Sequence, residues 1–292
     1  MKIMLRYAFD YNPKIIEILD AHSVKYELGT HQCIYFKIPS DHECIPVLKA
    51  ISPDLKPDFS HYKFSDKEMN EAEWFTMRST NNKLENVLDE KTFEFSCKFT
   101  KRINVWAPSR EAGTRFVPED VDFYGHETQV APYYFSKKIK WGRNFFYSVL
   151  RRGTEDFFCN ELAKNIITQS GLKGASFLSP LKKQTNEPIE DVYQFIIDNI
   201  IPESSCEVVD YRDIYHCPVC GKKEYAMDTL SRPRVNKAAL GDQDFYATEP
   251  ILTWGNDWCI PDHFSIISHR AYEVFKASGF TRTLEIAPLL TY

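Results

Sequence analysis

The chain has 292 residues, 43% of them apolar, 14% aromatic and 26% charged, with a net charge of −5 from 36 Lys and Arg against 41 Asp and Glu. That is the composition of one large or two ordinary globular domains, and it excludes a mainly disordered chain. No run of about 18 apolar residues predicts a membrane span, no signal-peptide pattern is present, and the acidic balance argues against coating nucleic acid. The expectation is therefore a cytoplasmic protein with neither membrane nor nucleic acid as its partner.

Residues 2–9 are rich in apolar side chains and predict a strand. Asn12-Pro13 opens a helix with Ile15, Ile16, Ile18 and Leu19 toward the core, proline being tolerated in a first helical turn. Residues 24–28 and 33–38 read as two strands joined through Gly29 and Thr30. Ser40 reads as the N-cap of a helix over 41–51, with Ile45, Val47, Leu48 and Ile51 as its apolar stripe. Residues 59–64 return as a fourth strand. The order β-α-β-β-α-β matches the ferredoxin-like split βαβ plan. A short helix is expected near 66–74 and strand character over 91–105. Residues 107–130, with two prolines and many acids, read as a connection or an ordered excursion. The expected fold class is α+β: an N-terminal α+β domain over 1–125 and a C-terminal α+β domain over 126–292.

The C-terminal half is self-similar. Residues 160–181 and 268–289 align without gaps at an offset of 108. Asn160 and Ser268 are both good N-caps, both helices stop at Ser-Gly (Ser170-Gly171 and Ser278-Gly279), and both segments close with Pro-Leu. Upstream, the sequences WGRN at 141–144 and WGND at 254–257 face each other at an offset of 113, so a five-residue loop insertion separates the two registers. The C-terminal domain is thus expected to be built from two helix-Gly-strand repeats, 141–181 and 254–290.

Eight cysteines in a chain without a signal peptide do not read as a disulfide framework. Cys217-Pro-Val-Cys220-Gly221 has the form of one zinc knuckle, in which two thiolates bind and the glycine permits the tight return. A tetrahedral structural zinc needs two more ligands. The best candidates are Cys259 and His263, spaced C-x3-H, with Cys206 and His216 as alternatives. A knuckle without metal is the competing reading, and a redox role the least favoured. A four-ligand site is closed, so the expected cofactor is at most a structural zinc.

No GxSxG, HExxH, Walker or GxGxxG pattern is present. His126-Glu127 could pass for an acid–base pair, but neighbours on a strand face opposite ways. Cys33 and Cys97 read as core residues, as do the aromatic runs 133–135 and 145–147. The acids Glu119, Asp120 and Asp122 form a solvated segment suited to steering a basic partner.

The stretch FSIISHRAYEVFKASGFTRTLEIAPLL (264–290), together with the CPVCG element upstream, resembles the double-CXXCG motif group of bacterial proteins and its relatives. Many of those look like immunity proteins of polymorphic-toxin and contact-dependent systems. The resemblance covers about the last 160 residues. The chain departs from the group's pattern in having one CxxCG where two are usual. The resemblance implies a non-catalytic protein that binds a cognate toxin with a basic surface and occludes its active site. Alternatives are a metal-assisted enzyme using Cys217, Cys220 and nearby histidines, or a zinc-stabilised adaptor.

Overall fold

The structure, a computed structural model, describes residues 1–29, 33–53, 59–80, 92–95, 99–109, 113–124, 127–136, 138–151, 154–216, 223–249, 251–254, 261–262 and 264–292. The fold is mixed α+β, and the chain divides into two compact units, Met1–Glu71 and Ala72–Tyr292. No described helix is long and apolar enough to cross a membrane.

The first unit runs β1 (Lys2–Asp10), α1 (Pro13–Ala21), β2 (Tyr26–Leu28), β3 (Cys33–Pro39), α2 (Cys44–Ile51), β4 (Phe59–Lys63) and α3 (Asp66–Glu71). Its sheet has the order β2-β3-β1-β4 with every pair antiparallel. Alternation on β1 and β3 sends Tyr7, Ile34, Phe36 and Ile38 to one face, where they pack with Ile15 and Leu19 of α1 and with Cys44 and Leu48 of α2. As expected, the Asn12 side chain accepts from the Lys14 N–H and Pro13 opens α1. Ser40 is not a helix cap. Its N–H donates to the Ile3 carbonyl at 2.8 Å, so it ends the strand, and α2 starts only at Cys44. There His42 Nδ1 accepts from the Cys44 N–H at 3.3 Å and lies 3.1 Å from Cys44 Sγ. Val47 and Ile51, expected on the buried stripe, are exposed. Ser65 and Glu68 cap α3 reciprocally. Glu68 accepts from the Ser65 N–H at 2.8 Å, and the Ser65 hydroxyl accepts from the Glu68 N–H at 3.3 Å.

The second unit begins with β5 (Trp74–Ser79), β6 (Phe93–Phe95), the long hairpin β7 (Phe99–Ser109) and β8 (Gly113–Tyr124), β9 (Glu127–Gln129) and β10 (Tyr134–Phe135). The hairpin β11 (Phe146–Arg151) and β12 (Thr154–Cys159) leads into α4 (Glu161–Gln169). Then come β13 (Ala175–Leu178), β14 (Leu181–Lys182), β15 (Tyr193–Ile197) and β16 (Ile200–Ile201). A second long hairpin, β17 (Cys206–His216) and β18 (Lys223–Val235), precedes β19 (Phe245–Thr248), β20 (Ile251–Trp254), β21 (Pro261–Asp262) and β22 (Ser265–Ser268). The chain continues through α5 (His269–Ala277), β23 (Leu284–Pro288) and β24 (Leu290–Thr291).

Two sheets of this unit have the orders β11-β12-β15-β13 and β16-β19-β22-β5-β23. In the first, β15 lies between the strands that flank α4; in the second, β5 lies between the strands that flank α5. Rings from both sheets meet: Phe146 and Phe195 of the first reach Phe245 of the second and Phe275 of α5, with Phe195 and Phe245 centroids 5.0 Å apart. The expected boundary near residue 125 falls inside this unit. The division comes earlier because β5 is committed to β22 and β23. Residues 113–124, read as part of a connection or an ordered excursion, form strand β8. Its order comes from a ladder with β7 and not from apolar periodicity of its own.

Candidate functional site

Among the described residues, one polar cluster joins the two helical segments of the second unit. Asn160 caps α4 by accepting from the Ala163 N–H at 2.9 Å, and Ser268 caps α5 by accepting from the Ala271 N–H at 3.1 Å. Both helices end in a serine followed by a left-handed glycine, Gly171 at φ +65° and Gly279 at φ +74°. Asp244, just before β19, is buried and accepts from Ser268 Oγ at 2.6 Å, the Lys173 N–H at 2.9 Å and Arg270 Nη1 at 3.4 Å. Arg270 Nη2 donates to the Ser170 carbonyl at 2.6 Å and to Gly171 at 3.1 Å. One step on, Asn199 Nδ2 donates to the Phe245 carbonyl at 3.2 Å. These donors and acceptors are matched within the chain, so the cluster works as a clamp that sets the two segments against each other.

Three of the four described thiols, those of Cys44, Cys159 and Cys206, are buried. Burial pushes the Cys206 thiol up to about 12, and Cys159 and Cys44 are also raised, chiefly by burial. His42 and Cys44 form a His–Cys pair that sequence reading missed, but Cys44 is wholly buried and its amide and thiol both face the one ring nitrogen, which makes this a helix-start device. Cys33 is half-buried. Of the aromatic runs, Tyr133, Phe135, Phe146 and Tyr147 are core residues, as expected. The Tyr133 hydroxyl donates to Asp156 Oδ2, and Gln129 and Gln194 exchange amide bonds of 2.9 and 2.7 Å.

Cys217, Cys220, Cys259 and His263 lie outside the described residues, as do His126 and Cys97. The strands that lead into and out of the two segments carrying these candidates belong to one sheet: His216 pairs with Lys223, Glu224 with Ile251, and Leu252 with Asp262. Among the described residues no group of three or more His, Cys, Asp and Glu is arranged to hold a metal ion. Glu119, Asp120 and Asp122 are on β8. Glu119 pairs with Ile103 and Asp120 with Arg102, while Asp122 falls where the register shifts between Phe99 and Lys101.

A second arrangement missed in the sequence is the face of the first unit's sheet opposite its helices. The register places Lys2 opposite Lys63, Arg6 opposite Lys37, and Tyr35 between Ala8 and Glu27. Arg6 holds its guanidinium over the Tyr35 ring, 5.1 Å from the centroid. Gly29 has an ordinary negative φ. Its role is clearance, since a Cβ there would stand 2.4 Å from Tyr35 Cε2.

Comparison with family models, with curated proteins and with solved structures gives no match for the chain.

Proposed function

We propose that this chain is an immunity protein, acting in the cytoplasm, that neutralises a cognate bacterial toxin by binding it and occluding its active site. The observation that carries this reading is the β7–β8 ribbon. It pairs as a two-stranded sheet over Phe99–Ser109 and Gly113–Tyr124, and among the described residues no third strand joins it. Strand edges of this length offer rows of backbone donors and acceptors to a partner chain. The acids Glu119, Asp120 and Asp122 on β8 add the sign of charge that steers a basic nuclease-like surface. The resemblance of 264–290 to immunity proteins points the same way.

A finer reading of the fold belongs with this proposal. The first unit is a ferredoxin-like βαββαβ unit, supported by its sheet order and its antiparallel pairing. The second contains two helix-Gly-strand repeats, supported by matching caps, matching glycine stops and the strand held between the two flanking strands in each sheet.

The test is purification of the tagged full chain from its host. A stoichiometric toxin domain is expected, and co-expression of the chain should restore growth to cells making that domain. The triple variant E119K/D120K/D122K should lose the rescue while keeping the wild-type circular dichroism spectrum. Recovery of the chain without a toxin, or rescue untouched by the triple variant, would overturn the proposal.

A further inference from the structure

We infer that the open face of the first unit's sheet binds single-stranded nucleic acid. Four cations stand on that face, Lys2 and Arg6 on β1, Lys37 on β3 and Lys63 on β4, against two acids, Asp10 and Glu27. Lys2, Lys37 and Lys63 are exposed, and among the described residues none of the three has an ion-pair partner. The strand rise puts the Lys2–Lys63 pair about 14 Å from the Arg6–Lys37 pair, a span that follows an extended phosphate backbone. The net charge of −5 belongs to the chain as a whole; this face is a local exception to it.

Charge alone would suit any polyanion. The stacking element selects among them. Tyr35 lies on β3 just beyond the Arg6–Lys37 pair, between Ala8 and Glu27. Its ring is close against Gly29, where a Cβ would clash at 2.4 Å, and the Arg6 guanidinium sits over the ring at 5.1 Å. An aromatic ring and a guanidinium held together beside exposed lysines form a platform for unpaired bases, which supply a planar ring with every phosphate, whereas a lipid headgroup surface or a run of carboxylates supplies negative charge with no ring to stack. Bases paired in a duplex are not available to such a platform. The occupant is therefore single-stranded, and recognition rests on phosphate and base stacking without sequence readout.

The experiment is fluorescence anisotropy of the full-length chain with fluorescein-labelled 20-mers of oligo(U) and oligo(dT), titrated from 50 to 200 mM salt. With three phosphate contacts, from Lys2, Lys37 and Lys63, the slope of log K against log salt should be about −2, a loss of roughly 20-fold over that range. The variant K37Q/K63Q should cut the slope to about a third. The variant K14Q/K49Q, which removes the same charge from the helix side of the unit, should leave it unchanged. Y35L should weaken binding at least about fivefold at constant slope, and Y35F should restore it. The proposal is overturned by an absence of binding at 50 mM salt, by equal effects of the two lysine pairs, or by a Y35L variant that binds like wild type. It is also overturned if phosphatidylserine vesicles or polyglutamate bind this face with the same lysine dependence and the 20-mers do not. The toxin-binding reading rests on β8, so failure of either proposal leaves the other standing.

Discussion

Arg270, in the first turn of α5, donates to the carbonyls of Ser170 and Gly171 at the end of α4, 100 and 99 residues away in sequence. The last carbonyls of a helix lack partners within it, and a cation there also meets the negative end of the helix dipole. The same side chain contacts the buried carboxylate of Asp244. R270M is therefore expected to lower stability by about 1–2 kcal/mol, much of it from carbonyls and a carboxylate left short of donors. The ion pair itself contributes less, because 55% of the Arg270 side chain is exposed. A double-mutant cycle with D244N in urea unfolding measures the coupling, and additivity of the two losses would refute it.

Among the described glycines, Gly174 has the closest backbone neighbour. Its φ is +94°, and a Cβ would stand 2.5 Å from Asn199 Nδ2 and 2.8 Å from the Phe245 carbonyl oxygen. The carbonyl is backbone and cannot rotate aside. G174A should cost more than about 2 kcal/mol, combining left-handed strain with overpacking. G171A, at φ +65° with only the Arg270 guanidinium 3.5 Å away, should cost about 1 kcal/mol. Thermal melts that rank the two the other way would contradict the geometry.

The two helix caps are not equivalent. Asn160 serves the Ala163 N–H, whereas Ser268 serves the Ala271 N–H and also donates to Asp244 at 2.6 Å. N160A should cost about 1 kcal/mol, the usual worth of a cap, and S268A about 2 kcal/mol, since it removes a donor from a buried carboxylate as well. Equal losses in chemical denaturation would show that the Ser268–Asp244 bond is energetically silent.

The Glu68 carboxyl is pulled from its ordinary 4.5 to about 2, first by a hydrogen bond from the Met1 ammonium and then by the Ser65 amide and hydroxyl. Because the folded value lies below the unfolded one, this contribution is complete above about pH 4.5 and is lost as pH falls toward 2. An NMR titration of the glutamate side chains should show one resonance with this depressed midpoint, absent in E68Q. A Glu68 midpoint near 4.5 would mean that the reciprocal cap does not persist in solution.

Thiol chemistry reads burial directly. Among Cys33, Cys44, Cys159 and Cys206, only Cys33 is not fully buried. Iodoacetamide at pH 8 should alkylate Cys33 first, and the other three only on unfolding, since burial suppresses their thiolates. Peptide mapping after a time course distinguishes the four sites.

What the sequence made visible was local chemistry. Asn12 with Pro13, the caps Asn160 and Ser268, and the stops Gly171 and Gly279 each act within four residues of their own position, and each stands where expected. The reciprocal cap of Ser65 and Glu68 was equally local and went unread, although the S-x-x-E spacing is plain. Ser40 misled because a serine before an apolar run is ambiguous until its N–H is seen to close a strand end. Long-range pairing left no such trace. Nothing in TRFVPEDVDFY alternates clearly enough to announce β8, and nothing near Trp74 points to partners at 265–268 and 284–288. The cationic face was half visible. Lys2 and Arg6 alternate with Ile3, Leu5 and Tyr7, but only the register brings Lys37, Lys63 and Tyr35 beside them.

The position of β5 bears on how the chain is made. Trp74–Ser79 emerges from a ribosome early, yet its neighbour Leu284–Pro288 is roughly 200 residues further along. At about 5–20 residues per second, the strand waits roughly 10–40 s for that neighbour. The sheet of the first unit needs nothing beyond β4, which ends at Lys63, and can close within that interval. Synthesis thus divides the chain in time at the place where its structure divides it in space, and leaves Phe75 and Met77, both buried in the finished sheet, in need of protection until translation is almost done.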